Sequence, residues 1–499
     1  MQGHSNITPP LWPQILWFVI PLIWASGMLV AQYHGEDEAL TMLRVQEIVQ
    51  GLKSADFFYI AKAIGGDWHP PGRNLLPVPF ILLFGDALWV LRLPNLFIWG
   101  GCVLIAAQMA QRMAGIGAAW TTALLLGLSG LFQIEAMGFG HGLGAFWGLA
   151  LCRHLLWNPP RSLSEPGAKR DFAVGGILAA AGFLWFTTMA MLGGIYHLYY
   201  FWLAWRDRAN RKIALRQTIV SSIPFGLFYV GYYAIFLGIP YYLLATGAVN
   251  FPIGQLHQYL ARTGGFGLNV DGLVENFSVA NWYLFPFITI GIVGAGLIAL
   301  WRNHRVIFMV LMPYLLIVNI VMGGNTGQHF LSWIVWCMPF AVAFAYREPV
   351  SGAMRLLSVT VVGATAVWSA VIHVPIYNEM NYPFALMEPA FGQAKWLNNV
   401  HRPVGDIALA LKDASQRHLK MTSLDDASFQ LQVFPSANWA RIPDRIKAGD
   451  CIASIVDKAD GRPIQVVLYD RTKLRPCHDR IASVTTFPNS NLEIGYLRH

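Results

Sequence analysis

The stretch LWPQILWFVIPLIWASGMLVAQYHGEDEAL, residues 11–40, decides how the chain is read. Residues 11–31 carry no charged side chain and have about the length that a bilayer core demands of a helix. Directly beyond them stand Glu36, Asp37 and Glu38, where a chain leaving lipid would meet the far side of a membrane. Three readings of that cluster compete. It could complement a helix dipole, hold an ion or proton for a transporter, or supply a catalytic carboxylate.

Composition extends the membrane reading to the whole chain. Of 499 residues, 55% are hydrophobic and 12% are charged, whereas soluble domains carry about 25% charged residues. The net charge of +8 falls largely in short loops between apolar runs, where Lys and Arg set orientation. No basic run interleaved with aromatics points to nucleic acid. Cys102, Cys152 and Cys337 lie in apolar runs and read as packing residues. Cys451 and Cys477 share the polar tail and could pair in an oxidising compartment. The N-terminus lacks the basic region and cleavage site of a signal peptide, so the first apolar run is expected to remain as a helix.

Hydropathy places spans at 11–31, 88–111, 115–134, 138–157, 171–190, 193–205, 217–238, 283–301, 305–322, 329–346 and 355–374. The short run 193–205 leaves the number between 11 and 13, most simply 11. With the N-terminus inside, Arg112, the stretch from Arg153 to Arg170, RDRANRKIALR (206–216), WRNHR (301–305) and REPVSGAMR (347–355) are cytoplasmic. The opposite loops around Glu135, Gly193 and 323–328 contain no Lys or Arg. That asymmetry is the usual orientation signal.

The predicted fold is mainly α, a polytopic membrane helix bundle over residues 1–375, with a small soluble α/β domain over 376–499. An odd number of spans puts that tail outside. Its strand-like runs include IQVVLY, residues 464–469. The first outer loop, 32–87, repeats apolar residues at helical spacing in Met42, Val45, Val49 and Leu52, and again in Phe57, Ala61 and Ile64. These predict short interfacial helices, with Arg44, Lys53 and Lys62 towards water. RNLLPVPFILLFG, 73–85, reads as a juxtamembrane or re-entrant segment, and the glycine-rich RTGGFGLNVDG (262–272) in the second outer loop, 239–282, as a mobile lid.

The order of motifs in the first half is informative. Asp37-Glu38 is followed by His69-Pro70-Pro71, Leu83-Phe84-Gly85 and VLRLPN (90–95). Glu135 follows in QIEAMGFG, and HFLSWIVWCMPF (329–340) begins with His329. This order resembles the C-type integral-membrane glycosyltransferases, in the branch of bacterial aminoarabinose and protein O-mannosyl transferases. The resemblance covers the first four helices well, the middle poorly and the tail not at all. His329 stands where that family carries an Arg.

The resemblance implies sugar transfer from a polyprenyl-phosphate, such as undecaprenyl phosphate, to a lipid, glycan or protein acceptor. It also implies a bacterial inner membrane, an active site at the periplasmic face and a product in lipopolysaccharide or another envelope glycan. A hydroxyl acceptor must lose its proton as it attacks the anomeric carbon, which suits a carboxylate base. Three adjacent carboxylates beside lipid repel one another, which raises at least one pKa. Asp37 is the candidate base or acceptor-orienting group, with Glu38 and Glu135 as further catalytic candidates and Glu36 in support. The competing account is a helix start complemented by acidic first-turn residues. The departing phosphate needs positive charge, for which His69, Arg73, Arg92, Arg262 and His329 are candidates. Their alternatives are ordinary: arginines snorkelling to headgroups and a His shaping a Pro-Pro turn. Glu135 could equally be a hydrated interface residue. Asp37 and Glu135 could share a divalent cation, Mg or Mn, because hard cations take carboxylates. The many tryptophans read as interface belts before sugar platforms. A transporter or flippase, or a non-catalytic assembly component, remains an alternative from other functional classes.

Overall fold

The computed structural model describes residues 11–29, 36–57, 60, 63–64, 71–85, 88–130, 141–185, 189–245, 288–318, 328–346 and 352–377, and in the tail 414, 417, 419–423, 463–470, 481–486 and 492–498. The chain divides into two compact units. One comprises residues 1–30 and 47–374, the other 31–46 and 375–499.

The described helices are α1 (Leu11–Ala25), α2 (Glu36–Ser54), α3 (Pro71–Leu75), α4 (Val78–Phe84), α5 (Leu88–Ala114), α6 (Ile116–Gly127) and α7 (His141–Trp157). They continue as α8 (Ala168–Trp185), α9 (Met189–Arg206), α10 (Arg211–Ala245), α11 (Ile288–Asn303), α12 (Arg305–Leu316), α13 (Gln328–Ala345) and α14 (Gly352–Tyr377). Each predicted span coincides with one of these helices. The short run at 193–205 corresponds to α9, which the apolar residues Met189, Ala190, Met191 and Leu192 extend backwards to Met189. The span predicted at 217–238 is likewise longer. The basic segment RKIALRQT forms its first two turns, and α10 reaches Ala245, so the second outer loop begins later than expected.

Small residues set the packing. Helix α5 lies against α1, α4, α6, α7 and α13. A methyl group on Gly296 of α11 would lie 2.6 Å from Cys337 Cβ of α13, and Gly148 of α7 faces the Trp336 ring just as closely. Trp336 Nε1 donates to the Ala145 carbonyl at 2.9 Å. Helices that meet without a hydrophobic driving force, as in lipid, rely on such close approach. Cys102, Cys152 and Cys337 are buried free thiols, the packing role expected of them; Cys451 and Cys477 lie outside the described residues.

The outward faces are apolar. Ile23, Leu198, Leu227, Val230, Leu356 and Val359 are exposed large hydrophobic residues. Trp89–Ala114 and Arg211–Tyr232 are, among the described residues, the helices long and apolar enough to cross a membrane. The second of these is mostly unburied. Water disfavours an apolar face of that extent; lipid does not.

The first outer loop departs in detail from its predicted pattern. The buried ridge of α2 is Thr41, Val45, Ile48 and Val49, while Leu52 is 46% and Phe57 78% exposed. Leu52 shares the face of Val45, but burial along that face does not extend to the last turn. Lys53 is exposed as expected, whereas Arg44 is half-buried, because its position on the helix borders the packed ridge. Ala61 and Lys62 lie outside the described residues. RNLLPVPFILLFG forms α3 and α4, and α4 buries Val78 and Ile81 while exposing Leu82, Leu83 and Phe84.

In the second unit, β1 (Met421–Ser423), β2 (Val466–Asp470), β3 (Ile481–Thr486) and β4 (Leu492–Leu497) form one sheet in the order β1-β2-β4-β3. Strands β1 and β2 are parallel, and β4 pairs antiparallel with both β2 and β3. The predicted strand around 464–469 is β2, which is central and buried. Tyr469 donates to Glu493 Oε2 at 2.6 Å. Burial, and then this carboxylate, raise the Tyr469 pKa above its ordinary value.

Candidate functional site

Two arginines of the first unit occupy unusual positions. Pro71 opens α3, where its fixed φ and missing N–H suit the first turn. The next residue must be small, since a methyl group on Gly72 would meet the Leu184 carbonyl oxygen at 2.5 Å and the Trp185 ring at 2.9 Å. This contact seats α3 on the last turn of α8. It also fixes Arg73, which is 4% exposed, beside Asn74, which is fully buried. Arg92, near the start of α5, is fully buried, and Asn95 follows three residues later on the same face.

The sequence therefore places an Arg and an Asn side by side in α3, and an Arg and an Asn at i and i+3 in α5. Each of the four is engaged in at least one interaction. A guanidinium keeps its charge at any accessible pH, and burying it is costly unless hydrogen bonds or an anion compensate. A planar fork of donors held in place is the form of cation that recognises phosphate or carboxylate bidentately. Simple snorkelling to headgroups would leave the guanidinium in water, and for these two it does not. The amides Asn74 and Asn95 were not among the residues singled out from the sequence. Their signal was the repeated pairing of Asn with Arg.

The acidic cluster at 36–38 belongs to the other unit, whereas Glu135 falls within the first. Helix α2 begins at Glu36, so Glu36, Asp37 and Glu38 form its first turn. Acidic residues there complement the helix dipole. The side chains of Asp37 and Glu38 lie outside the described residues, as does that of His329 in the first turn of α13. His69, Glu135 and Arg262 lie outside them altogether. Among the described residues no group of three His, Cys, Asp or Glu could hold a metal ion.

No family model matches the sequence, and no curated protein matches it. Solved structures do match. The apo crystal structure of ArnT from Cupriavidus metallidurans aligns with a TM-score of 0.61 at 14% identity, covering 97% of each chain. The same enzyme bound to undecaprenyl phosphate aligns at 0.57 and 14% identity, over 98% of each chain. The Archaeoglobus fulgidus oligosaccharyltransferase, in complex with Zn and sulfate, aligns at 0.50 and 12% identity over 91% of this chain and 68% of that one. The fold is that of the C-type membrane glycosyltransferases, as the order of the motifs anticipated.

Proposed function

We propose that the chain is an integral-membrane glycosyltransferase that moves a sugar from a polyprenyl-phosphate donor to a lipid, glycan or protein acceptor. The observation that carries this reading is the pair of buried arginines, Arg73 and Arg92, on a bundle with the fold of enzymes of that kind. One such structure contains undecaprenyl phosphate. In this reading the active site and the domain at 376–499 face the periplasm, and the membrane is a bacterial inner membrane. The basic loops would then lie in the cytoplasm.

The acceptor oxygen attacks the anomeric carbon, and the bond from that carbon to the phosphate oxygen breaks. The electron pair leaves with the polyprenyl phosphate. Arg73 and Arg92, with His69, Arg262 and His329 as further donors, offset the charge that grows there. The proton of a hydroxyl acceptor passes to the carboxylate of Asp37. A phosphate acceptor needs no base, and Asp37 would then orient it. Glu38 and Glu135 support the same site, and Asp37 with Glu135 could hold a divalent cation such as Mg or Mn. An archaeal protein of this fold was crystallised with Zn.

The test is Asp37→Asn, which keeps the shape of the side chain and removes its charge. Sugar transfer from a synthetic polyprenyl-phosphate donor is expected to fall by a factor on the order of 10²–10⁴, with donor binding nearly unchanged. Near-normal turnover in a folded variant would return the acidic cluster to a helix start.

A further inference from the structure

At the far end of the bundle, arginines stack on tryptophans. Arg92 and Arg112 stand about 30 Å apart along α5, taking 1.5 Å per residue. Met113 lines a small cavity together with Asn303 and His304, which brings the start of α12 to this same end. Ser162 and Ser164, in the loop after α7, both donate to Asp207 Oδ2 at 2.7 Å, which brings the end of α9 there as well. The Arg206 guanidinium carbon lies 4.8 Å from the Trp202 ring centre, that of Arg211 4.7 Å from Trp205, and that of Arg305 5.6 Å from Trp301. Each of these is one cation on one ring.

Trp157 is different, for it carries two cations. Arg112 lies 4.7 Å and Arg153 4.8 Å from its ring centre. Two like charges so close repel, and Arg153 is tethered beside the ring. Arg153 Nε donates to Gln108 Oε1 at 3.1 Å, and Gln108 Nε2 donates to Gln14 Oε1 at 2.8 Å. Side chains of α1 and α5 thus hold Arg153 in place, while Arg112 is held to the ring by its stacking. Among the described residues neither guanidinium has a carboxylate partner. Two acidic side chains at this end are committed elsewhere: Asp171 to Arg161 at 3.0 Å, and Asp207 to the two serines and the Asn210 N–H.

We propose that Arg112 and Arg153, clasping Trp157, form a site for the doubly anionic headgroup of a membrane phospholipid, with the paired phosphodiesters of a cardiolipin-type lipid as its occupant. A fixed pair of cations is matched by a fixed pair of anions. Each guanidinium can take one phosphate bidentately, and the half-buried indole sits where aromatic rings settle between headgroups and acyl chains. Basic pockets between helices at this kind of boundary take such headgroups. The site rests on the bundle being in a membrane and is independent of the sugar-transfer reading.

The test is native mass spectrometry of the delipidated full-length protein, titrated with tetraoleoyl cardiolipin or dioleoyl phosphatidylcholine. One cardiolipin is expected to bind ahead of the rest, and phosphatidylcholine is not expected to replace it. Arg112→Ala with Arg153→Ala is expected to weaken that first binding about 30-fold, the effect of removing two arginines near an anionic surface. Arg206→Ala, which removes a single stacked cation, is expected to leave it within about fivefold. Arg112→Gln with Arg153→Gln keeps polar stems and reads the same quantity should the alanine pair misfold. Equal losses in the Arg206 variant, release of the lipid by millimolar inorganic phosphate, or no preference over phosphatidylcholine in the unaltered protein would each overturn the proposal.

Discussion

Arg92 and Arg112 lie on one helix, and the fold treats them in opposite ways. Arg92 is fully buried near the start of α5, whereas Arg112 is exposed near its end and rests on Trp157. Arg73 matches the first and Arg206 the second. An exposed arginine stacked on an indole costs little to place and is worth on the order of 0.5–1 kcal/mol. A buried one must be compensated by the surrounding structure, so its position carries more information. The separation of about 30 Å along α5 matches the hydrocarbon thickness of a bilayer. One helix thus carries a buried cation at one end and an exposed, ring-stacked cation at the other.

The contrast breaks most easily at the support of the buried end. Gly72→Ala places a methyl group against the Trp185 ring and the Leu184 carbonyl, and the carbonyl, being backbone, cannot yield without moving α8. Overpacking of this kind typically costs about 1–3 kcal/mol. A displaced α3 also carries Arg73 out of register, so donor affinity is expected to fall together with thermal stability. Gly194→Ala is the control, since a methyl group there meets nothing within 4 Å. Equal melting temperatures for the two variants would mean that α3 is not seated as described.

Arg73→Ala sharpens the comparison without touching that seat. Loss of a charge-assisted hydrogen bond is worth about 1.5–3 kcal/mol, so donor affinity should weaken roughly tenfold to a hundredfold. Arg206→Ala should leave it unchanged within error. Donor titrations of both variants in one detergent decide, and unchanged affinity in Arg73→Ala would reduce that residue to a structural cation.

The smallest effect belongs to the loops at the stacked end. Hydrogen bonds from Ser162 and Ser164, and then from the Asn210 N–H, hold the Asp207 carboxyl below its ordinary pKa. A depressed folded-state value means that this support is complete at neutral pH. It is lost on the acid side of the ordinary carboxylate value of about 3.9. Hydrogen exchange in 158–167 and 206–211 should therefore quicken at acid pH with little change in global unfolding. Asp207→Asn should remove that pH dependence, and a variant that still shows it would assign the effect to another group.

Much of this was legible along the chain. Apolar runs such as 88–111 and 329–346 became α5 and α13, because a helix in lipid must satisfy its own backbone and needs only length and hydrophobicity. At 193–205 the predicted start fell late because 189–190 had been counted into the preceding span, although Met189–Leu192 is apolar and belongs to α9. The candidate site was legible in part. HPPG and LRLPN pointed to Arg73 and Arg92, but a motif does not distinguish an arginine snorkelling to water from one that is buried. The buried Asn74 and Asn95 passed unnoticed for the same reason.

The sequence by itself determined the helical class, the order of the spans, the segregation of basic loops and the candidate residues, since each depends on local composition and spacing. Only the tertiary structure decided that Gly72 meets Trp185, that Gly296 meets Cys337, and that Trp157 carries two arginines. Those meetings join residues far apart in the chain. They depend on how closely helices approach, and close approach is set by side-chain shape on both partners, which no single stretch of sequence contains.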